Sequence, residues 1–203
     1  MLSRDTLTGL YVEKKLSSSV IARQLKCSEH KVNYWISRFG IQKRSISDAL
    51  YQKWNPKGDP FSVRGPRTVE EGVLYGLGVG LYWGEGTKAS KTSIKLGNTD
   101  PHLICKFIQF LITFYGIEKK RLRFGLQIFS DMNTEATLQY WTRTLKVPRT
   151  QFYPKIIITP YRGVGNYRNK TKYGVLTIYF NNRKLRDIIC GAIEEEAMRK
   201  KPM

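Results

Sequence analysis

The chain has 203 residues, a formal charge of +19 and a pI near 10.0, with 41% apolar residues. That apolar fraction excludes an unfolded polyelectrolyte, and the charge surplus points to a polyanionic partner, with nucleic acid ahead of an acidic membrane surface. The start, MLSRDTLTGL, lacks the apolar core of a signal peptide, so a cytoplasmic, DNA-associated location is expected.

Cys27, Cys105 and Cys190 are widely spaced, which suits free thiols rather than a disulfide framework or a zinc site. No internal repeat is visible.

Residues 1–50 carry nine basic and four acidic side chains. Leu7, Leu10 and Tyr11 recur at helical spacing. Ser17 to Ser19 offer caps for a second helix that turns Val20, Ile21 and Leu25 inward. Ser28 caps a third, with Val32, Trp35, Ile36 and Phe39 on its apolar face and Gly40 as its stop. The order LSSSVIARQLKCSEHKVNYWISRFGI resembles the helix-turn-helix DNA-binding family. Ala22 takes the small position of the scaffold helix, and Lys26-Cys27-Ser28 form the turn. In that family the second helix of the pair enters the major groove. The resemblance implies that Ser28, His30, Lys31, Asn33, Tyr34 and Arg38, with Glu29 beside them, face the groove or the phosphates. A three-helix bundle used for protein contacts is the other reading.

Residues 51–68, YQKWNPKGDPFSVRGPRT, hold three prolines, two glycines, four basic residues and one acid, which reads as a basic linker. Fully extended, it reaches at most about 60 Å. Arg64-Gly65-Pro66-Arg67 resembles the Arg-Gly-Arg-Pro core of minor-groove arms in composition but differs in order; both arginines are candidate DNA contacts, and a plain basic linker is the other reading.

From Val69 to Lys88 the chain reads VEEGVLYGLGVGLYWGEGTK. Gly72, Gly76, Gly80 and Gly84 fall four apart, on one face of a helix. Glycine costs a helix about 1 kcal/mol relative to Ala at each site. Close packing of another helix offsets that cost. Glu85 sits in the last turn, where the helix dipole disfavours a carboxylate, and Gly86 follows as a stop. An acid delivered to that end points to a cation there; a core helix with an exposed Glu is the plain alternative. The 13 residues from Gly72 to Gly84 fall short of the roughly 20 of a membrane span.

Further elements follow in order. Ser93 to Thr99 alternates, with Ser93 and Lys95 on one face. Pro101 opens a helix striped by Ile104, Phe107, Ile108, Leu111 and Ile112, and Gly116 ends it. A strand then points Leu122, Phe124, Leu126 and Ile128 one way and Arg121, Arg123 and Gln127 the other. Arg and Gln on an acid-free strand face suit guanine and adenine edges. Asn133 to Lys146 predicts a helix, with Ala136, Leu138, Tyr140, Trp141 and Leu145 available to pack. Lys155–Thr159 and Tyr173–Phe180 predict strands. The connection between them, with Arg162, Arg168, Lys170, Lys172 and two tyrosines but no acid, suits backbone tracking on nucleic acid. A helix from Arg183 closes the chain.

The stretch Gly78 to Gly86, GVGLYWGEG, resembles the LAGLIDADG motif of homing endonucleases. Gly80, Leu81 and Gly86 match it, Val79 and Gly84 keep small side chains where it has Ala, and Glu85 stands at its second acid. Tyr82 replaces an aliphatic residue, and Trp83 stands where the motif has its first Asp. The resemblance covers about two thirds of the chain. Taken with the helix-turn-helix resemblance and the basic linker, it implies an α+β architecture: a three-helix helix-turn-helix domain (1–50), the linker (51–68), and an α-β-β-α-β-α-β-β-α domain (69–203) with an antiparallel DNA-facing sheet. It further implies a homodimer seamed along Gly72, Gly76, Gly80 and Gly84. The ion would be Mg²⁺ or another divalent metal at Glu85 and the Gly84 carbonyl, and the reaction site-specific hydrolysis of double-stranded DNA at a pseudo-palindromic site. Lys95 and Lys88 are the candidate basic catalytic residues, with Gln127 and Lys172 behind them. Lys91, Ser93 and Lys95 join the DNA contacts. A non-cleaving DNA-binding regulator and an RNA-binding, maturase-like protein are the alternatives. His30 and His102 form no nuclease box, Glu118-Lys119-Lys120 lacks an evident Asp partner, and no GxxxxGK[S/T] loop is present.

Overall fold

The computed structural model describes residues 2–160 and 172–199. The chain is α+β and divides into two compact units, Met1–Pro60 and Phe61–Met203. Among the described residues, no helix is long and apolar enough to cross a membrane.

In the first unit, α1 (Arg4–Leu7) continues as a π-helical turn, Thr8–Glu13; α2 (Ser18–Gln24), α3 (Glu29–Arg38) and α4 (Ile46–Trp54) follow. Serines set the starts: Ser3, Ser17, Ser28 and Ser45 each accept a backbone N–H of the first turn. Leu7, Leu10, Tyr11, Ile21, Ala22, Val32 and Ile36 form the core, while Val20, expected inward, is exposed. The turn between α2 and α3 places Lys26 at φ 48°, a left-handed conformation, and the Cys27 N–H closes on the Ala22 carbonyl at 2.9 Å.

The stretch expected to be an extended linker from residue 51 begins inside a helix. α4 runs to Trp54, and Arg44 holds the segment before it. Its guanidinium donates to the carbonyls of Lys15 and Leu16 and to Gln52 Oε1, and lies 4.3 Å from the Tyr11 ring centroid. Such local bonding is invisible to composition.

The second unit comprises α5 (Val69–Glu85), β1 (Ile94–Asn98), α6 (Pro101–Tyr115), β2 (Arg123–Phe129), α7 (Thr134–Leu145), β3 (Ile157–Thr159), β4 (Val175–Phe180) and α8 (Arg183–Met198). The strand order is β1-β4-β2-β3. Two expectations are corrected. Between α5 and α6 there is one strand, not two: the chain after Gly86 contributes only an isolated bridge to Leu96 before turning. The sheet is mixed, not antiparallel, because β3 runs parallel to β2. The physical reason is α7. A helix joining neighbouring strands returns the chain to the same end of the sheet, which makes the second strand parallel.

One face of the sheet is greasy. Ile94, Leu96, Phe124, Leu126, Ile128, Leu176, Ile178 and Phe180 are buried there with side chains of α5, α6, α7 and α8. Each fully buried Leu or Phe contributes about 1.5–3 kcal/mol over its exposed state. α6 supplies Ile104, Phe107, Ile108, Phe110, Leu111 and Phe114; Ile112, placed in the same stripe from sequence, is exposed. On α7, Ala136 is exposed instead of packed, and Thr137 is buried with its hydroxyl donating to the Asn133 carbonyl at 2.8 Å.

Candidate functional site

The other face of the sheet bears a polar and aromatic pattern fixed by register. Lys95, Tyr179 and Arg123 form one cross-strand row; Gly97, Thr177 and Gly125 form the next; Val175, Gln127 and Ile157 form a third. None of these residues is buried. Period-two alternation produces this face: the partners of Lys95 and Arg123 on either side along each strand belong to the core.

The start of α5 is built tightly. Thr68 Oγ1 accepts the Glu71 N–H at 3.2 Å, and Glu71 accepts the Arg67 N–H at 2.8 Å. Arg64 clasps the Glu71 carboxylate with two bonds, 2.6 and 2.7 Å, donates to the Thr113 carbonyl at 2.8 Å and lies over Phe114. The Arg64 guanidinium, followed by the Arg67 N–H, lowers the Glu71 carboxyl to about 2. Arg64, a candidate DNA contact from sequence, is held inside the unit by these bonds. Arg67 is exposed.

α5 has two glycine faces. A methyl group at Gly78 would meet Phe110 of α6 at 2.1 Å, so this glycine carries the close packing within the chain. At Gly72, Gly76, Gly80 and Gly84 nothing among the described residues lies within 4 Å of where a Cβ would stand. Val69 and Val73, on the same side of the helix, are 79% and 67% exposed, and Leu77 and Trp83 are exposed with them. The four-apart stripe therefore faces outward in the single chain.

At the C-terminal end, Gly86 has φ −73°, an ordinary extended conformation; its need for glycine is space, because a Cβ would strike the Tyr82 carbonyl and ring. Tyr82 is fully buried and stacks on Phe107, with centroids 5.9 Å apart. Glu85 is exposed and makes no hydrogen bond or ion pair among the described residues. A cation does stand at this helix end, and it is a lysine: Lys88 Nζ donates to the Trp83 carbonyl. Arg186 of α8 holds the same segment by donating to the Lys88 carbonyl at 2.7 Å.

The chain brings Lys95 to this end as well. The Thr87 N–H donates to the Lys95 carbonyl at 2.9 Å, and Gly86 bridges Leu96. Backbone pairing thus brings Lys95 to the end of α5 where Glu85 and Lys88 already stand close together in sequence. One copy supplies the Glu85 carboxylate and the Gly84 carbonyl. Oxygen donors suit a hard divalent cation in kind. In number they fall short: among the described residues no group of three or more His, Cys, Asp or Glu side chains stands together.

The remaining candidates scatter. Ser93, a candidate DNA contact from sequence, is buried, its hydroxyl 2.8 Å from that of Ser90. Lys91 and Arg121 are exposed beside the sheet strands, and Arg123 is exposed with its guanidinium turned back to the Lys120 and Leu122 carbonyls at 2.8 and 2.9 Å. Lys172 lies 5.3 Å from the Tyr173 ring centroid. Arg162, Arg168 and Lys170 lie outside the described residues. In the first unit, His30, Lys31, Tyr34 and Arg38 are exposed on α3. Asn33 accepts the Ser18 hydroxyl at 2.9 Å and ties α2 to α3 instead of standing free, while Ser28 serves as the α3 cap. His30, Asn33, Tyr34, Ser37, Arg38 and Lys43 line an open groove of about 480 Å³.

Two features escaped sequence reasoning: the aromatic pair Tyr153–Tyr179 on the open sheet face, 5.2 Å apart, and Gly78. For Tyr179 the signal was available, since it is the outward residue of an alternating strand.

Comparison with family models, with curated proteins and with solved structures returns no match. The class that the fold itself defines is therefore an α+β protein with a helix-covered mixed sheet and a separate helical unit.

Proposed function

We propose that the chain is a site-specific, metal-dependent DNA endonuclease of the homing type, working as two copies joined along α5. The observation that carries this reading is the open face of that helix. Among the described residues, this 17-residue helix leaves space for a Cβ at four of its glycines, beside exposed valines, and ends in an acid with no hydrogen-bond or ion-pair partner. Pairing this face with its own copy offsets the helix cost of those glycines and covers the valines. A two-fold axis there brings two Glu85 carboxylates together, which doubles the oxygen donors that one copy lacks. Like charges at two helix ends repel unless a cation lies between them.

A bound divalent ion supplies charge to the phosphate and makes its water more acidic. Glu85 and the Gly84 carbonyl would hold it, with DNA phosphate and water completing the set. Lys95 meets phosphate from the open sheet face, and Lys88 neutralises the carbonyl end of α5. Lys95 and Gln127 face the groove, and the exposed face of α3 makes a second contact.

The test is cleavage of a DNA site library with Mg²⁺. Native protein is expected to cut a restricted set of sites and to sediment at about twice 23.5 kDa. Glu85→Gln is expected to bind those sites and leave them intact. Cutting by Glu85→Gln at the native rate removes the acid from the reaction.

A second reading, a DNA-binding regulator without chemistry, draws on Trp83, exposed where the resembled motif has an acid, and on Lys88 already occupying the helix end. It expects tight, strongly salt-dependent binding to one site with no nicking.

A further inference from the structure

Tyr179 stands in the end row of the open sheet face, with Lys95 and Arg123 as its direct cross-strand neighbours. Its ring is fixed on three sides. Tyr153 meets it edge-on, with centroids 5.2 Å apart and planes at 83°. The ring overlies Gly125, where a Cβ would come within 2.9 Å of Cε2 and 3.3 Å of the hydroxyl. The Lys95 ammonium stands 5.6 Å from the ring centroid, within cation–π reach.

These contacts are built in series. Tyr153 is held by its own N–H, which donates to the Phe124 carbonyl at 2.8 Å. Gly125 does not have a positive φ, so the absence of its side chain serves the ring and not the backbone. Lys95 in turn is tied through its carbonyl to Thr87, two residues past Glu85. A lysine ammonium on a four-carbon stem otherwise samples many positions.

We propose that Tyr179 is a positioning residue: its ring, laid over Gly125 and braced by Tyr153, holds the Lys95 ammonium on the open sheet face beside the Glu85 end of α5. The ring–ammonium contact stands on the geometry alone. Its catalytic consequence, an ammonium preset for the scissile phosphate, rests on the nuclease reading.

The experiment has two arms on the full chain, with unfolding curves confirming that each variant folds. In the first, ¹H–¹³C NMR follows the Lys95 side-chain methylenes. A ring-current shift is expected in the native protein and in Tyr179→Phe, lost in Tyr179→Leu and altered in Gly125→Ala. Identical Lys95 signals in native protein and Tyr179→Leu overturn the contact. In the second, single-turnover cleavage at saturating protein is compared with DNA affinity. Tyr179→Leu is expected to slow cutting by roughly ten- to hundredfold while affinity changes by less than about threefold, and Tyr179→Phe to restore the rate. An equal loss of affinity and rate makes the ring a groove contact and overturns the positioning role. If native protein cuts no site while the Lys95 shifts behave as expected, the nuclease reading falls and the contact remains.

Discussion

Gly78 and Phe110 meet so closely that one added methyl group would lie 2.1 Å from the Phe110 Cγ. Phe110 is fully buried and packed against Tyr75, Phe107, Phe114 and Tyr115, so it has no room to retreat. Gly78→Ala is therefore expected to destabilise the protein by about 1–3 kcal/mol, an overpacking cost. Gly76→Ala and Gly80→Ala meet empty space. In dilute, monomeric protein each is expected to stabilise by up to about 1 kcal/mol through helix propensity. Denaturant unfolding separates the two classes. Under the paired-copy reading, the same Gly80→Ala variant lowers the dimer fraction in sedimentation. A change at Gly80 that leaves the association constant untouched would remove this face from the seam.

The clasp of Arg64 on Glu71 sets an acid limit on stability. The Glu71 carboxyl is lowered from 4.5 to about 2 by the guanidinium and the Arg67 N–H. A depressed folded pKa contributes stability that is complete above the unfolded value and is lost as pH falls through the folded one. Unfolding curves are expected to be insensitive to this pair above about pH 4.5 and to lose its contribution between about 4.5 and 2. Glu71→Gln is expected to be less stable at pH 7 and to show a flatter acid limb. An unchanged acid limb in that variant would assign the loss to other carboxylates.

The same clasp separates two arginines that sequence treats alike. Arg67→Ala is expected to reduce the salt slope of DNA binding by about one, as is Arg38→Ala on α3. Arg64→Ala is expected to leave that slope unchanged and lower thermal stability instead. Fluorescence anisotropy between low and moderate salt measures all three.

Trp141 is fully buried, and its Nε1–H donates to the Tyr173 carbonyl at 2.7 Å, joining α7 to the chain just before β4. Trp141→Phe removes the donor and leaves a partly empty site. A loss of about 1–4 kcal/mol is expected in urea unfolding, from the orphaned carbonyl and the cavity together.

Elements with strong local signals were legible in the chain. Phe124, Leu126 and Ile128 alternate with Arg123, Gly125 and Gln127 as a one-sided strand must. Asp100, Pro101 and Gly116 mark both ends of α6, the aspartate accepting the His102 N–H and the glycine taking φ 57°. What was not legible depends on partners distant in sequence. The single bridge at Gly86, the parallel pairing of three-residue β3 and the burial of Ser93 each follow from tertiary register. Arg64 shows the same limit at the candidate site. A basic Gly-Pro segment reads as an arm for DNA, and only the position of Glu71 across the turn reveals an internal clasp. The glycine stripe is a mixed case. Its spacing predicts a closely packed helix and the resemblance a seam between copies, but the glycine that packs within the chain, Gly78, lies off the stripe and carried no separate mark.

Under the paired-copy reading, α5 also acts as a ruler. Gly78, wedged on Phe110, is its fixed point, and Glu85 lies seven residues along, close to two full turns. One residue inserted or deleted between them would swing the acid by about 100° and shift it by about 1.5 Å. Length changes are therefore expected to be absent from this span in any working descendant of the chain, while substitutions on its outward face remain open to selection.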